Sequence, residues 1–514
     1  MVSPKEESVI KRILSKSSLS RRDFLKILMI SPLINNIYFS DFSIASQRVA
    51  CYVPLDNRPP NFIYPKRLAD ILGIKLLVPP VEILSERRKK AASQEILAFL
   101  VESWADCAIV SADSMIFGGL VPSRETQMSK EDAMWYTKRL LGLKSSHLFD
   151  SVYLFKSLMR LMPTVLDEKE LFYATKIEEI MKFSDEDIKN PVNFYERELL
   201  LTYVPPDLLR DYIESRKINY FVDRTLIKNS DKVDLLVLAQ DDSTDRGVAY
   251  EEKKRLSMIA TKNTKIVQGS DEIGMILVTR FGKDKDISLK TIFIPEEVEE
   301  EIMPLETVPL GKNLLSQINL LNLKLKNSEP DFYMIIFGKD GYEQAAFEKV
   351  RSLVKEGKNV AFADVSNMNM TDERMFKLLL ASGLIFRLIA YAGWNTAANT
   401  TGCALSQAVS YLSSRNFKKN FRFLIERIIY DYYYQNVIRK QINNILIENN
   451  QSNFKMTQDS INIAKNIFFQ YFPGISEELM MCSPIKFDIT DVRFSLPWDR
   501  TFEANIEIDI KLRS

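Results

Sequence analysis

From residue 49 the chain repeats one arrangement: a short apolar run, a polar punctuation, then a stretch with apolar residues at helical spacing. The runs lie at 49–55, 74–78, 107–110, 151–155, 233–239, 265–268, 332–337, 360–363 and 384–390. Between them, stretches such as 131–143 and 343–355 carry the period of a half-buried helix. Strands alternating with helices predict parallel β-α units. The runs are continuous rather than alternating, as expected of strands covered on both faces. The pattern predicts an α/β fold, either β/α-barrel-like or doubly wound in one or two open sheets. Both architectures hold ligands beyond the carboxyl ends of the strands. Residues 289–330 break the pattern with acids at 296–301 and with Pro295, Pro304 and Pro309, and read as an insertion in an α/β domain spanning 46–411. Beyond it, 412–514 reads first as helical and rich in aromatics. The alternation of Val492 and Phe494, then of Ala504, Ile506, Ile508 and Ile510, predicts a closing antiparallel pair.

The start of the chain is different. Ser20-Arg21-Arg22-Asp23-Phe24-Leu25-Lys26, followed by a modest apolar run over 27–34, resembles a twin-arginine export signal. The run is shorter than the roughly 20 apolar residues of a membrane span. Ser43 and Ala45 are small residues of the kind a signal peptidase reads. The expectation is a signal peptide over 1–45, a twin-arginine translocase as partner during export, and a periplasmic or extracellular location. No later segment is long and apolar enough to span a bilayer. Net charge is +1, from 69 basic and 68 acidic residues. That balance gives no general pull towards nucleic acid or an anionic membrane. The four cysteines form no CxxC pair and are expected to be free and buried. The single histidine, His147, lies in a polar loop, so Ser-His-Asp, Cys-His and multi-histidine zinc chemistry are excluded. No GxGxxG follows a strand and no phosphate-binding GxxxxGK[ST] occurs, so no nucleotide cofactor is expected.

The chemistry is concentrated at the strand ends. The first run leads into Asp56-Asn57-Arg58, the third into Asp113, the fifth into Asp241-Asp242 and Arg246, the sixth into Asp271-Glu272. The run at 360 leads into Asp364 and Asn367, and the last into Trp394-Asn395 and Asn399. A single Asp there is explained by turn or cap preference. Acids at most strand ends, with Arg, Asn and Trp among them, describe a mouth for a polar, hydroxyl-rich ligand. Asp241-Asp242 is the sharpest element, because mutual repulsion raises one member of such a pair and leaves the other ionised. Glycoside hydrolysis needs that division between an acid and a carboxylate. The second pair, Asp271-Glu272, is equally explained as a helix start. Trp394 beside Asn395 and Asn399 suits a sugar ring stacked on an indole, and also suits a core tryptophan beside a helix cap.

The blocks Pro54-Leu55-Asp56-Asn57-Arg58-Pro59, Gln240-Asp241-Asp242, Tyr391-Ala392-Gly393-Trp394-Asn395-Thr396-Ala397-Ala398-Asn399-Thr400 and Pro497-Trp498-Asp499-Arg500-Thr501-Phe502-Glu503 resemble the bacterial family catalogued as domain of unknown function 4127, over roughly residues 49–510. The resemblance implies an identity but assigns no catalytic residue. From the residues, the leading expectation is an exported, carboxylate-based hydrolase of glycosidic bonds, with Asp242 as general acid and Asp241 as its partner. Asp56, Asn57, Arg58, Asp113, Arg246, Asp271, Glu272, Asp364, Asn367, Trp394, Asn395 and Asn399 would bind a saccharide. Two alternatives stand beside it. One is a metal-dependent hydrolase with Asp56, Asp113, Asp241 and Asp364 as oxygen ligands. The other is a saccharide-binding protein without catalysis.

Overall fold

The structure, a computed structural model, describes residues 47–125, 128–165, 167–184, 186–242 and 244–513. The twin-arginine-like segment and the proposed cleavage site lie outside the described residues. Residues 48–514 make one compact unit.

Two open parallel sheets form its centre. The first contains β1 (Val49–Val53), β2 (Lys75–Leu77), β3 (Cys107–Ser111), β4 (Ser151–Leu158), β5 (Leu235–Gln240) and β6 (Thr264–Gln268), in the order β2-β1-β3-β4-β5-β6. The second contains β7 (Ser288–Ile294), β8 (Lys324–Leu325), β9 (Phe332–Phe337), β10 (Val360–Asp364) and β11 (Ala390–Ala392), in the order β8-β7-β9-β10-β11. Counted from its own first strand, each sheet begins 2-1-3-4-5. The same doubly wound topology is therefore used twice, and the barrel alternative is set aside. In each sheet the winding reverses beside the first strand, at β1/β3 and at β7/β9, the kind of point beyond which such sheets hold ligands.

The segment read as an insertion begins the second sheet. β7 is parallel to both β8 and β9. Its burial is mostly partial, so it lacks the fully apolar signature of its neighbours. The last apolar run is also displaced: 384–387 forms a 3-10 turn, and the strand begins at Ala390.

Helix Ile273–Gly282 is apolar on nearly every side and packs between helices Pro59–Leu72 and Ala397–Ser414. A helix hydrophobic all round must be enclosed. One core accordingly joins β1 of the first sheet to β7 and β9 of the second through these helices. A second core covers the other face of the second sheet with the C-terminal region. That region contains helix Phe417–Ile428, a π-helical segment Ile429–Ile438, helices Arg439–Glu448 and Gln458–Cys482, and the antiparallel pair β12 (Phe487–Ser495) and β13 (Asn505–Leu512). The cysteines are free, three of them buried. Among the described residues, no helix is long and apolar enough to cross a membrane.

Candidate active site

The strand ends of both sheets and the turn between β12 and β13 enclose a cavity of about 380 Å³. That size is within the range of small-molecule sites. Its wall combines Arg58, Arg124, Arg160 and Arg500 with Asp241, Asp242, Asp271, Glu272 and Glu306. Trp498, Phe502, Phe454, Asn395 and Asn399 complete it, with Met162 and Leu171 from the helical excursion between β4 and β5.

Arg58 organises the floor. β1 ends at Val53, and Pro59-Pro60 starts the next helix immediately, with Arg58 at its N-cap. Proline fits the first helical turn because its missing N–H would have no partner there. The guanidinium of Arg58 donates from Nη2 to Asp271 Oδ1 at 2.6 Å and from Nη1 to Asp271 Oδ2 at 3.0 Å. Nε and Nη2 donate to Asp56 Oδ2 at 3.0 and 2.8 Å, and Nη1 reaches Glu503 Oε1 at 3.1 Å. The guanidiniums of Arg58 and Arg500 both lie 4.7 Å from the Trp498 ring centroid. Trp498 Nε1 donates to Asn57 Oδ1 at 2.7 Å. Asp56 and Asn57 therefore stand behind the wall and hold the arginine and the indole that form it.

Asp241 and Asp242 each have their own arginine. Asp241 is paired with Arg124, and Asp242 accepts from Arg160 Nη1 at 2.7 Å. Burial would push Asp241 up, but Arg124 and Arg160 outweigh it and hold the carboxyl below the usual range. Asp242 is displaced upward, by burial first and then by the charge of Asp241, against the pull of both arginines. Burial, with the charge of Asp56, pushes Asp271 up to about 6 in spite of Arg58. Two glutamates complete the set. Glu306 accepts from Ala398 N at 2.7 Å and from Asn313 Nδ2 at 2.9 Å, and burial pushes it up to about 7. Glu272 is fully buried and pushed up to about 8, mainly by burial.

Of the residues expected from sequence, Arg58, Asp241, Asp242, Asp271, Glu272, Asn395 and Asn399 line the cavity. Others stand elsewhere. Asp113 accepts from Ser157 N at 2.7 Å and faces the enclosed Lys156 at 3.8 Å. Asp364 is folded onto Ser366 and the amide of Asp372. Asn367 reaches Asp340, and Arg246 is exposed outside the cavity. Trp394 is corrected from sugar platform to core residue. It is 1% exposed, with Tyr430 and Phe502 at 5.2 and 5.4 Å between ring centroids. Trp498 is the indole at the cavity. The four acids of the metal-dependent alternative, Asp56, Asp113, Asp241 and Asp364, each serve a different partner. Among the described residues, no group of three or more His, Cys, Asp or Glu is arranged to hold a metal ion.

Sequence reasoning passed over Arg124, Arg160, Arg500, Glu306 and Trp498 as site residues. Arg124 and Arg160 do follow strands β3 and β4, and Trp498 and Arg500 belong to a block that carries the family resemblance. Glu306 lies in the stretch read as an insertion.

A family model described as a protein of unknown function (DUF4127) matches residues 50–507. No curated protein and no solved structure matches the chain.

Proposed function

The chain belongs to the DUF4127 family, whose description assigns no activity, and we propose from the cavity itself that the protein is a carboxylate-based hydrolase acting on a glycosidic bond of a polar saccharide. What supports this reading is a pair of adjacent acids in one cavity with different surroundings, Asp241 against the buried Arg124 and the more exposed Asp242 against Arg160, so that the first is held down and the second pushed up. Acid–base roles follow such divergence. Asp242, whose side chain is 32% exposed, can meet a ligand. Protonated, it gives its proton to the leaving oxygen as the C–O bond breaks. Asp241 stays ionised and faces the positive charge that develops at the anomeric carbon. Water then supplies the new hydroxyl, and its remaining proton restores the acid.

The surroundings support an uncharged, hydroxyl-rich ligand. Arg58, Arg124, Arg160 and Arg500 are each matched by a carboxylate. Such pairs offer donors and acceptors side by side, without a strong net charge. Trp498 adds an indole to the wall, 5% exposed and with the guanidiniums of Arg58 and Arg500 over its ring. In this reading the protein leaves the cytoplasm by the twin-arginine route and meets its saccharide in the cell wall or the surroundings.

The test is turnover of a panel of oligosaccharides by the wild type and by Asp242→Asn. The expected result is loss of product with melting temperature and ligand binding retained. Unchanged turnover in that variant refutes the assignment. One observation favours a second reading: Asp241, Asp242 and Asp271 are already paired with arginines. A site built only to bind would look the same, and would show saturable binding with no product from the wild type.

A further inference from the structure

We propose that Glu272 is a specificity-determining residue that donates a hydrogen bond, together with Asn399, to the carbonyl oxygen of an acyl substituent on the bound sugar. The inference rests on the saccharide reading above, and narrows it to acylated sugars.

The slot around Glu272 is specific to it. After β6 the chain turns at Gly269, with φ +86°. A Cβ at residue 269 would stand 1.9 Å from Glu272 Oε1, so the carboxyl lies directly over that glycine. On the other side, a Cβ at Gly402 would stand 2.6 Å from Glu272 Cγ. Two glycines on two different elements thus clear the space for one side chain.

Among the described residues, no side chain answers the carboxyl. Neither oxygen has a hydrogen-bonding partner, and only its own amide and that of Ser270 lie close enough to favour the charge. The titratable groups that face it are Asp271 on its own loop, Glu306 from the neighbouring segment and Cys403 on helix Ala397–Ser414. Asp241, Asp242 and Asp271 each have an arginine, whereas Glu272 has none. An unpaired buried carboxylate is costly, and such a group takes up a proton instead. Its displacement to about 8 agrees with that argument.

A neutral carboxyl is a donor. Glu306 is satisfied by Ala398 and Asn313, so it acts as a helix cap and leaves Glu272 as the donor without an acceptor. Asn399, 5% exposed in the same wall, has an amide nitrogen that is also unpartnered. Two donors suit one oxygen with two lone pairs and no hydrogen. A ligand carboxylate would be repelled by Asp271 and Glu306, whereas a neutral acyl carbonyl would not. On a sugar that oxygen belongs to an acylamino or acyloxy group.

The experiment is infrared difference spectroscopy of wild type against Glu272→Gln near neutral pH, with N-acetylglucosamine, N-acetylgalactosamine, glucose or galactose added. The proposal expects a protonated-carboxyl band that the variant lacks and that moves with the acetylated sugars only. No such band overturns the donor role. A band that ignores all four sugars, or moves equally with the parent hexoses, overturns the acyl specificity. Asn399→Ala gives a second reading if the first variant folds poorly. It should weaken binding of N-acetylglucosamine about tenfold more than binding of glucose, near 1.4 kcal/mol; equal loss for both sugars counts against the proposal. Because these measurements read binding, a failure of the hydrolase assignment, seen as turnover in Asp242→Asn, is separately visible.

Discussion

Replacing Arg58 by Ala removes the one guanidinium shared by three carboxylates. Asp56 and Glu503 have side-chain exposures of 0% and 1%, and Asp271 has 14%. Arg500 continues to serve Glu503. Asp56 and Asp271 keep only Asn61 as a shared side-chain donor. Breaking a buried ion pair from one side costs about 3–5 kcal/mol, chiefly because the surviving charge is left unpaired. The expected loss in Arg58→Ala is therefore about 3–5 kcal/mol near pH 8, with further loss of packing on Trp498. The pH dependence has a definite sign. Without the guanidinium, the folded-state value of Asp271, already pushed up to about 6, rises further above that of the unfolded chain. A raised carboxyl destabilises the fold increasingly as pH climbs from the unfolded value to the folded one. The deficit should therefore be largest above about pH 7 and shrink towards about pH 4–5, where Asp271 holds its proton in folded wild type and folded variant alike. Urea unfolding of wild type and variant at both ends of that range measures it. A deficit under about 1 kcal/mol, the worth of a surface pair, or one that stays constant with pH, would refute the view of Arg58 as the keystone of buried charge.

Three further outcomes rest on the same geometry. Gly269→Ala forces a side chain into φ +86° and against the Glu272 carboxyl; it should cost at least about 1–2 kcal/mol in a denaturant titration, and wild-type stability would contradict it. Trp498→Ala should weaken saccharide binding about tenfold in calorimetry, since it removes the indole and the stacking that aligns two arginines, whereas unchanged affinity would place the sugar elsewhere. Treatment with a chelator should leave turnover intact, because Asp241, Asp242 and Asp271 are engaged by arginines; loss restored by a divalent cation would favour the metal-dependent reading.

The sequence displayed the strands of the first sheet because each is an uninterrupted apolar run covered on both faces. It hid β7, whose residues are mostly half-buried and which is followed by Pro295 and a cluster of acids. The repetition of one topology in two sheets was not legible either, since winding order is set by connection and pairing and leaves no residue-by-residue repeat. In the site, strand-end acids were visible as residue types, but their arginines were not visible as partners. Arg124 is 117 residues from Asp241, and Arg160 is 82 from Asp242. Trp394 and Trp498 both stand beside polar residues in recognisable blocks. Their difference in role comes from packing. The π-helical segment brings Tyr430 against Trp394, whereas the turn between β12 and β13 presents Trp498 to the cavity.

The most direct measurement is a crystal structure of Asp242→Asn soaked with an oligosaccharide that the wild type cleaves. The account predicts a sugar ring in the cavity against Trp498. It also predicts a glycosidic oxygen about 2.6–3.2 Å from the side chain at position 242, the reach needed for proton transfer. A saccharide bound outside the cavity, or one whose glycosidic oxygen lies beyond reach of both position 242 and Asp241, would contradict it.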